Sequence, residues 1–206
     1  GGTSSGLANP YWIQNRQLRE NKKTRYMINA SLKYQLFDWL DVVGRVKIDN
    51  YDNRSTYKAY ASTGTLVSGD RGTYSDTSTQ SKNTYADAIA TLNKSFNDWS
   101  VNVNLGVSLS DSRYEMIGYE GGLKLINFFA VHNIDFNKAW KAKQSGWHDQ
   151  TRAIFANAEI GWKSMIYLTA TGRNDWESQL AFSEASSFFY PSVGLSGIIS
   201  SMVKLP

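Results

Sequence analysis

The chain contains no cysteine. Disulfide staples, thiolate metal sites and thiol nucleophiles are therefore excluded. Proline is scarce, at three residues in 206, so little interrupts extended segments. No apolar run reaches the roughly eighteen residues of a transmembrane helix, and mean hydropathy is −0.43. That leaves a membrane barrel open, because its strands dilute apolar residues with polar ones. Charge of one sign is not clustered. The net +4 is scattered, without a basic helix or an Arg-rich run, so nucleic acid is not an expected partner. Neither a Gly-x4-Gly-Lys-Ser/Thr phosphate loop nor a Gly-x-Ser-x-Gly elbow occurs. The opening Gly1-Gly2-Thr3 has neither Met nor leader, as expected of a processed chain or an internal fragment.

What the chain does have is alternation. In Trp99–Ser110, Trp99, Val101, Val103, Leu105, Val107 and Leu109 share one phase. Ser100, Asn102, Asn104, Gly106, Ser108 and Ser110 share the other. A strand sends successive side chains to opposite faces, so this segment has one apolar face and one wet face. Six further segments repeat the pattern: 25–35, 40–49, 84–96, 150–162, 165–175 and 188–199. Seven strands of about 10–13 residues result, long for an ordinary soluble sheet. Residues 1–23 read as loop. Short turns at 37–39, 97–98 and 163–164 alternate with two long polar loops, about 52–82 and about 112–148, and a medium connection before residue 188. Short turns at one end and long loops at the other organise an outer-membrane barrel.

The composition of the two phases points the same way. The apolar phase mixes Ala with Leu, Val and Ile; the other is Asn, Ser, Thr and Gly with scattered charge. Lipid accepts any apolar side chain, whereas a wet lumen wants small polar ones. Aromatics make up 14% of the chain, and many stand at strand ends. Trp39, Trp99 and Trp162 flank the short turns; Trp176, Tyr51, Tyr85 and Phe189 lie towards the long loops. Such girdles mark membrane interfaces. The fold class is therefore all-β, with antiparallel up-and-down strands forming part of a transmembrane barrel. The alternative is a soluble β-sandwich serving as a binding or adhesion module.

Candidate functional residues follow from phase and place. Arg45, Lys47, Asp49, Asn102, Asn104, Glu159, Arg173 and Asp175 carry the polar phase and would face a lumen. For Glu159, Arg173 and Asp175 an inter-strand salt-bridge ladder is an equal reading. Tyr57, Tyr60, Tyr74, Tyr119, Phe128, Trp140 and Trp147 fall in the expected loops. There they would stack on a solute, contact a partner, or pack on one another. His132 and His148 share a loop without an obvious third ligand, and residues 49–53 lack the Gly and distal Glu of a calcium loop. No catalytic or metal constellation emerges and no cofactor is implied, so the chain reads as a non-enzyme.

Several segments resemble a known family. These are Thr171-Gly172-Arg173-Asn174-Asp175-Trp176, then Ser187-Phe188-Phe189-Tyr190-Pro191-Ser192-Val193-Gly194, with Asn9-Pro10-Tyr11-Trp12 near the start. Tyr34 with Asp38-Trp39-Leu40, Gly161-Trp162-Lys163 and Tyr167-Leu168 complete the set, in consistent order along the chain. They resemble the SusC/RagA class of TonB-linked outer-membrane transporters. Ile126 departs from the pattern, where the family has Pro. The resemblance implies a 22-stranded barrel around an N-terminal plug, in the outer membrane of a Gram-negative, Bacteroidetes-type cell. It implies a SusD-like surface lipoprotein as lid, TonB as energy source, outer-membrane lipid around the wall, and glycans or peptides as solute. Residues 1–206 then correspond to a middle piece of the barrel, without the plug, the TonB-contacting segment or the first and last strands.

Overall fold

The computed structural model describes residues 10–61, 63, 68–180 and 187–199. After a short helix, α1 (Pro10–Arg16), seven strands follow: β1 (Gln17–Phe37), β2 (Leu40–Ala59), β3 (Thr73–Phe96), β4 (Trp99–Gly122), β5 (Trp140–Trp162), β6 (Ile166–Glu177) and β7 (Ser187–Gly197). They form one antiparallel sheet in sequence order. A sandwich needs a second sheet to cover the first. The described residues form a single sheet, so the sandwich alternative does not hold.

Three short turns join β1–β2, β3–β4 and β5–β6. Lys163 and Ser164 both have positive φ, 53° and 55°, and Asn97 has φ 52°. Positive φ gives a two-residue hairpin loop the twist that matches its strands. The Met165 amide donates to the Trp162 carbonyl at 2.9 Å and closes the β5–β6 turn.

The expected long loops at about 52–82 and 112–148 are largely strand. β2 runs to Ala59, β3 starts at Thr73, β4 runs to Gly122 and β5 starts at Trp140. Alternation marks a strand only where one face is apolar. In Thr73–Lys82 one phase is Thr and Ser and the other is Asp76, Ser78, Gln80 and Lys82 after Tyr74, so the two-residue signal vanishes while the backbone stays paired. Likewise residues 17–23, expected as loop, belong to β1. Residues 1–9 of that expected loop lie outside the described residues, as does Asn9 of the Asn-Pro-Tyr-Trp segment.

The molecule divides into two compact units. One comprises Gly1–Tyr26, Asn50–Ser81 and Arg113–Trp147. Its buried apolar side chains are Ala59, Tyr74, Leu123 and Ile134. Asn133 is buried among them, and its side chain bonds the Leu125 amide (3.0 Å), the Leu125 carbonyl (2.9 Å) and the Phe128 carbonyl (2.7 Å). The connection from β4 to β5 is thereby folded around one amide. Asn127, at φ 56°, ties it to the connection between β2 and β3. Its Oδ1 accepts from the Ala61 amide at 2.8 Å and its own amide donates to the Arg71 carbonyl at 3.0 Å.

The other unit comprises Met27–Asp49, Lys82–Ser112 and His148–Pro206. Its burial is inverted. Leu105, Val107, Ile154 and Leu168 are about half exposed or more, and Val193 and Leu195 are 76% exposed. On the opposite face Asp87 is only 7% exposed. The exposed residues align in rows: Ile160 opposes Leu168, which opposes Leu195, and Ala158 opposes Ala170, which opposes Val193. Among its described residues the one buried apolar side chain is Ala153. A water-soluble sheet would cover such rows with a core; a lipid-facing sheet leaves them bare.

Candidate functional site

The polar face of the second unit is built by cross-strand pairs. Arg45 Nε donates to Asp87 Oδ1 at 2.8 Å, and the Asp87 side chain is 2% exposed against 52% for Arg45. With Asn29, Ser31, Lys47 and Tyr85 they line a recess of about 370 Å³. Lys33 and Asp41 pair nearby at 2.9 Å. On β3 and β4, Thr91 Oγ1 donates to Asn104 Oδ1 (2.8 Å), Asn104 Nδ2 to Asn102 Oδ1 (2.8 Å), and Asn102 to Asn93. These amides and the hydroxyl satisfy one another while leaving a neutral, hydrogen-bonding wall. Arg173 donates from Nε to Asp175 Oδ1 at 2.7 Å, within one strand, and its guanidinium lies 5.6 Å from the Phe155 ring centre. Glu159 stands opposite Thr169. Asp49 has the parity of Arg45 and Lys47 on β2, and its carbonyl accepts from Asn83 at 3.3 Å.

Arg45, Asn102 and Asn104 are legible in the sequence as site candidates, whereas their partners Asp87, Thr91 and Asn93 are not. Parity along a strand gives the face. Only the register between strands gives the partner. The signal was a polar phase on β3 mirroring that on β4.

The aromatic candidates of the first unit are mostly engaged. Tyr57, Tyr74 and Tyr119 lie on β2, β3 and β4, and Trp140 and Trp147 on β5, rather than in loops. Tyr60 and Phe128 do lie in connections. Arg19 stands 4.5 Å over the Tyr57 ring, and Arg16 stands 4.9 Å over Tyr60. Phe129 meets Tyr60 edge-on at 4.9 Å and lies 6.2 Å from Tyr74. Phe136 meets Trp140 edge-on at 4.9 Å, and Tyr114 stacks with Trp147 at 6.0 Å. His132 packs edge-on to Phe128; in the other unit His148 bonds Asp111 at 2.9 Å.

One ion pair here is tightly made. Arg54 donates through Nε (3.0 Å) and Nη2 (2.6 Å) to the two oxygens of Asp76. This fork holds the Asp76 carboxyl below its ordinary range and raises the guanidinium further. The Tyr74 hydroxyl also donates to Asp76 at 3.2 Å, and burial pushes that phenol up.

The four tryptophans expected at membrane interfaces sit at strand ends and are all more than one-third exposed. Trp39 occupies the β1–β2 turn and stacks on Phe37 at 5.2 Å. Trp99 opens β4, Trp162 closes β5 beside its turn, and Trp176 stands near the far end of β6.

No family model and no curated protein matches the sequence. Solved structures do. The whole chain superposes on 23% of a chain in the structure of the RagAB peptide transporter, with TM-score 0.88 and 15% identity. In the structure of the RagAB peptide importer in the "open-open" state the match covers 95% of this chain and 21% of that one, with TM-score 0.83 and 14% identity. In the "closed-closed" state it covers 95% and 22%, with TM-score 0.82 and 15% identity. The fold is that of a seven-stranded stretch of these transporter chains. It is the fold that the SusC/RagA resemblance implied. The chain spans less than a quarter of the length of these transporter chains. As a stretch of barrel wall it explains the inverted burial, since the rows of Leu, Val and Ile have the composition of a lipid-facing band. A membrane crossing takes about 9–11 residues, so more than half of the 24 residues in each of β3 and β4 extend past the length of one crossing.

Proposed function

We propose that this chain forms part of the wall of an outer-membrane importer of the SusC/RagA kind. In this reading Arg45, Lys47, Asp49, Asn102, Asn104, Glu159, Arg173 and Asp175 face the solute path. The connections 60–72 and 123–139 stand at the cell exterior, where a SusD-like lipoprotein caps the barrel. TonB drives uptake through a part of the protein outside residues 1–206, and the solute is a peptide or a glycan. No bond is made or broken; the wall offers hydrogen-bonding amides and paired charges along which a polar solute exchanges partners. The observation that carries the proposal is the match over the whole chain to the RagAB peptide transporter. The bare aliphatic rows and the opposing Asn and Arg–Asp pairs support it.

The test uses single cysteines in the full-length protein in lipid vesicles, which is practical because this segment has no cysteine of its own. A dye at Val107→Cys or Leu105→Cys is quenched strongly by brominated acyl chains. A dye at Asn104→Cys or Ser108→Cys is quenched by a water-soluble agent instead. Equal quenching of both phases by lipid would sink the proposal. Co-purification of a surface lipoprotein with the wild-type protein, and peptide or glycan uptake that stops without TonB, test the remaining parts.

A further inference from the structure

On β1 and β2, cations are matched with rings rather than with acids. Lys23 Nζ stands 4.2 Å from the Tyr51 ring centre, and Arg19 4.5 Å from that of Tyr57. Arg16 stands 4.9 Å from Tyr60 and 5.6 Å from Trp12. All seven residues belong to the first unit, with Trp12 and Arg16 on α1 and Tyr60 just past the end of β2. Arg19 and Lys23 share the parity of Asn29, Ser31 and Lys33 on β1. Tyr51 and Tyr57 share that of Arg45, Lys47 and Asp49 on β2. They therefore lie on the polar phase that the proposed importer turns toward its solute.

Elsewhere in the same strands a cation finds a carboxylate: Arg54 with Asp76, Lys33 with Asp41, Arg45 with Asp87. Among the described residues Arg16, Arg19 and Lys23 have no ion pair. A ring orients a cation without neutralising it, since the quadrupole attracts the charge while the N–H donors at its edge stay free. The three cations are exposed and their tyrosines half-buried. This is a row of pre-oriented, unneutralised charges. Arg19 and Lys23 are four residues apart on one face, roughly 13 Å at strand rise. That spacing matches every fourth side chain of an extended peptide.

We infer that Arg16, Arg19 and Lys23, held over Tyr60, Tyr57 and Tyr51, form a contact track for the carboxylates of an anionic solute. The inference rests on the importer reading and names the charge class of what passes. Guanidinium and ammonium groups donate to carboxylate oxygens, and the tyrosine rings offer flat surface to the apolar parts of the same solute.

The experiment is calorimetric titration of the full-length transporter with its lipoprotein partner. Three probes are used: an octapeptide with aspartate at alternate positions, its asparagine counterpart, and an oligogalacturonate. The wild type binds the aspartate peptide more tightly than the asparagine peptide, and the difference shrinks as salt rises. Arg19→Gln with Lys23→Gln weakens the aspartate peptide about tenfold, the sum of two partly exposed charge contacts. The same pair leaves the asparagine peptide unchanged. That unchanged affinity shows that the double variant is folded, and Arg19→Lys, which keeps the charge but not the planar donor fork, binds the aspartate peptide with an affinity between those of wild type and Arg19→Gln. Arg54→Gln, on the other phase and already paired, leaves both peptides unchanged. Preference for the oligogalacturonate, lost in the same variant, keeps the track and assigns the carboxylates to a glycan. Equal binding of aspartate and asparagine peptides, no loss in the double variant, or no binding of any probe overturns the track. The importer reading fails separately, on the lipid-quenching pattern.

Discussion

Phe155 on β5 lies flat across Gly106 on β4, so that a β-carbon at position 106 would enter its ring. The guanidinium of Arg173, the β6 partner of Phe155 in register, lies 5.6 Å away. Three strands are thus bridged by one aromatic ring on a face made mostly of small polar side chains. The glycine is required by this close approach.

Gly106→Ala is therefore expected to destabilise the barrel by about 1–3 kcal/mol, the usual cost of overpacking. Adding Phe155→Ala should recover much of that loss, because the ring is what the new methyl meets. Denaturant unfolding of both single variants and the double variant in lipid vesicles checks this. Strict additivity would show that the ring moves aside at no cost.

Arg54 and Asp76 give a pH dependence with a definite sign. The folded carboxyl is held below its ordinary value, so the unfolded state binds the proton more readily. The stabilisation is fully present above the ordinary carboxylate value of about 4 and is lost as pH falls through the lower folded value. With the Arg54 side chain 62% exposed, solvent screening limits the effect to about 0.5–1 kcal/mol. Amide protection factors along residues 50–59 and 73–81, which remove the intrinsic pH dependence of exchange, should fall below about pH 4 in the wild type. In Asp76→Asn they should already be lower at neutral pH and flat across that window.

Asn133 is the keystone of the connection from β4 to β5. Asn133→Ala leaves the Leu125 amide and two carbonyls without their buried partner, at roughly 1–3 kcal/mol local cost. Limited proteolysis should cut between residues 123 and 139 in the variant and not in the wild type. The membrane-crossing parts should keep their resistance to heat in detergent.

The β5–β6 turn offers a stabilising change. Ser164 has φ 55°, a conformation that costs an L-residue roughly 1–2 kcal/mol and glycine almost nothing. Ser164→Gly should raise the unfolding midpoint, an effect of about 1 kcal/mol. A lowered midpoint would show that the serine side chain contributes more than its backbone strain.

Legibility in the sequence followed the solvent on each face. The strand from Trp99 to Ser110 is legible because one phase is apolar and the other polar along its whole length. Thr73–Lys82 is not, although it belongs to the same sheet, because polar side chains on both faces erase the period. For that reason Tyr57 and Tyr74 read as loop aromatics in the sequence, although they stand on β2 and β3. Arg45 was found and Asp87 was not, since pairing lies in the register. The Arg19–Tyr57 and Lys23–Tyr51 contacts were beyond reach because 17–23 did not read as strand.

Asn127 accepts from Ala61 and donates to Arg71, and the Arg71 side chain bonds the Lys124 carbonyl at 2.7 Å. Three hydrogen bonds therefore tie Ala61 and Arg71 of one connection to Lys124 and Asn127 of the other. A force applied to the exposed Leu125 and Ile126 is passed to Ala61 and Arg71 without first separating the two. Whatever docks on one connection reports on both, and any rearrangement at this end must flex the strand tips that carry them.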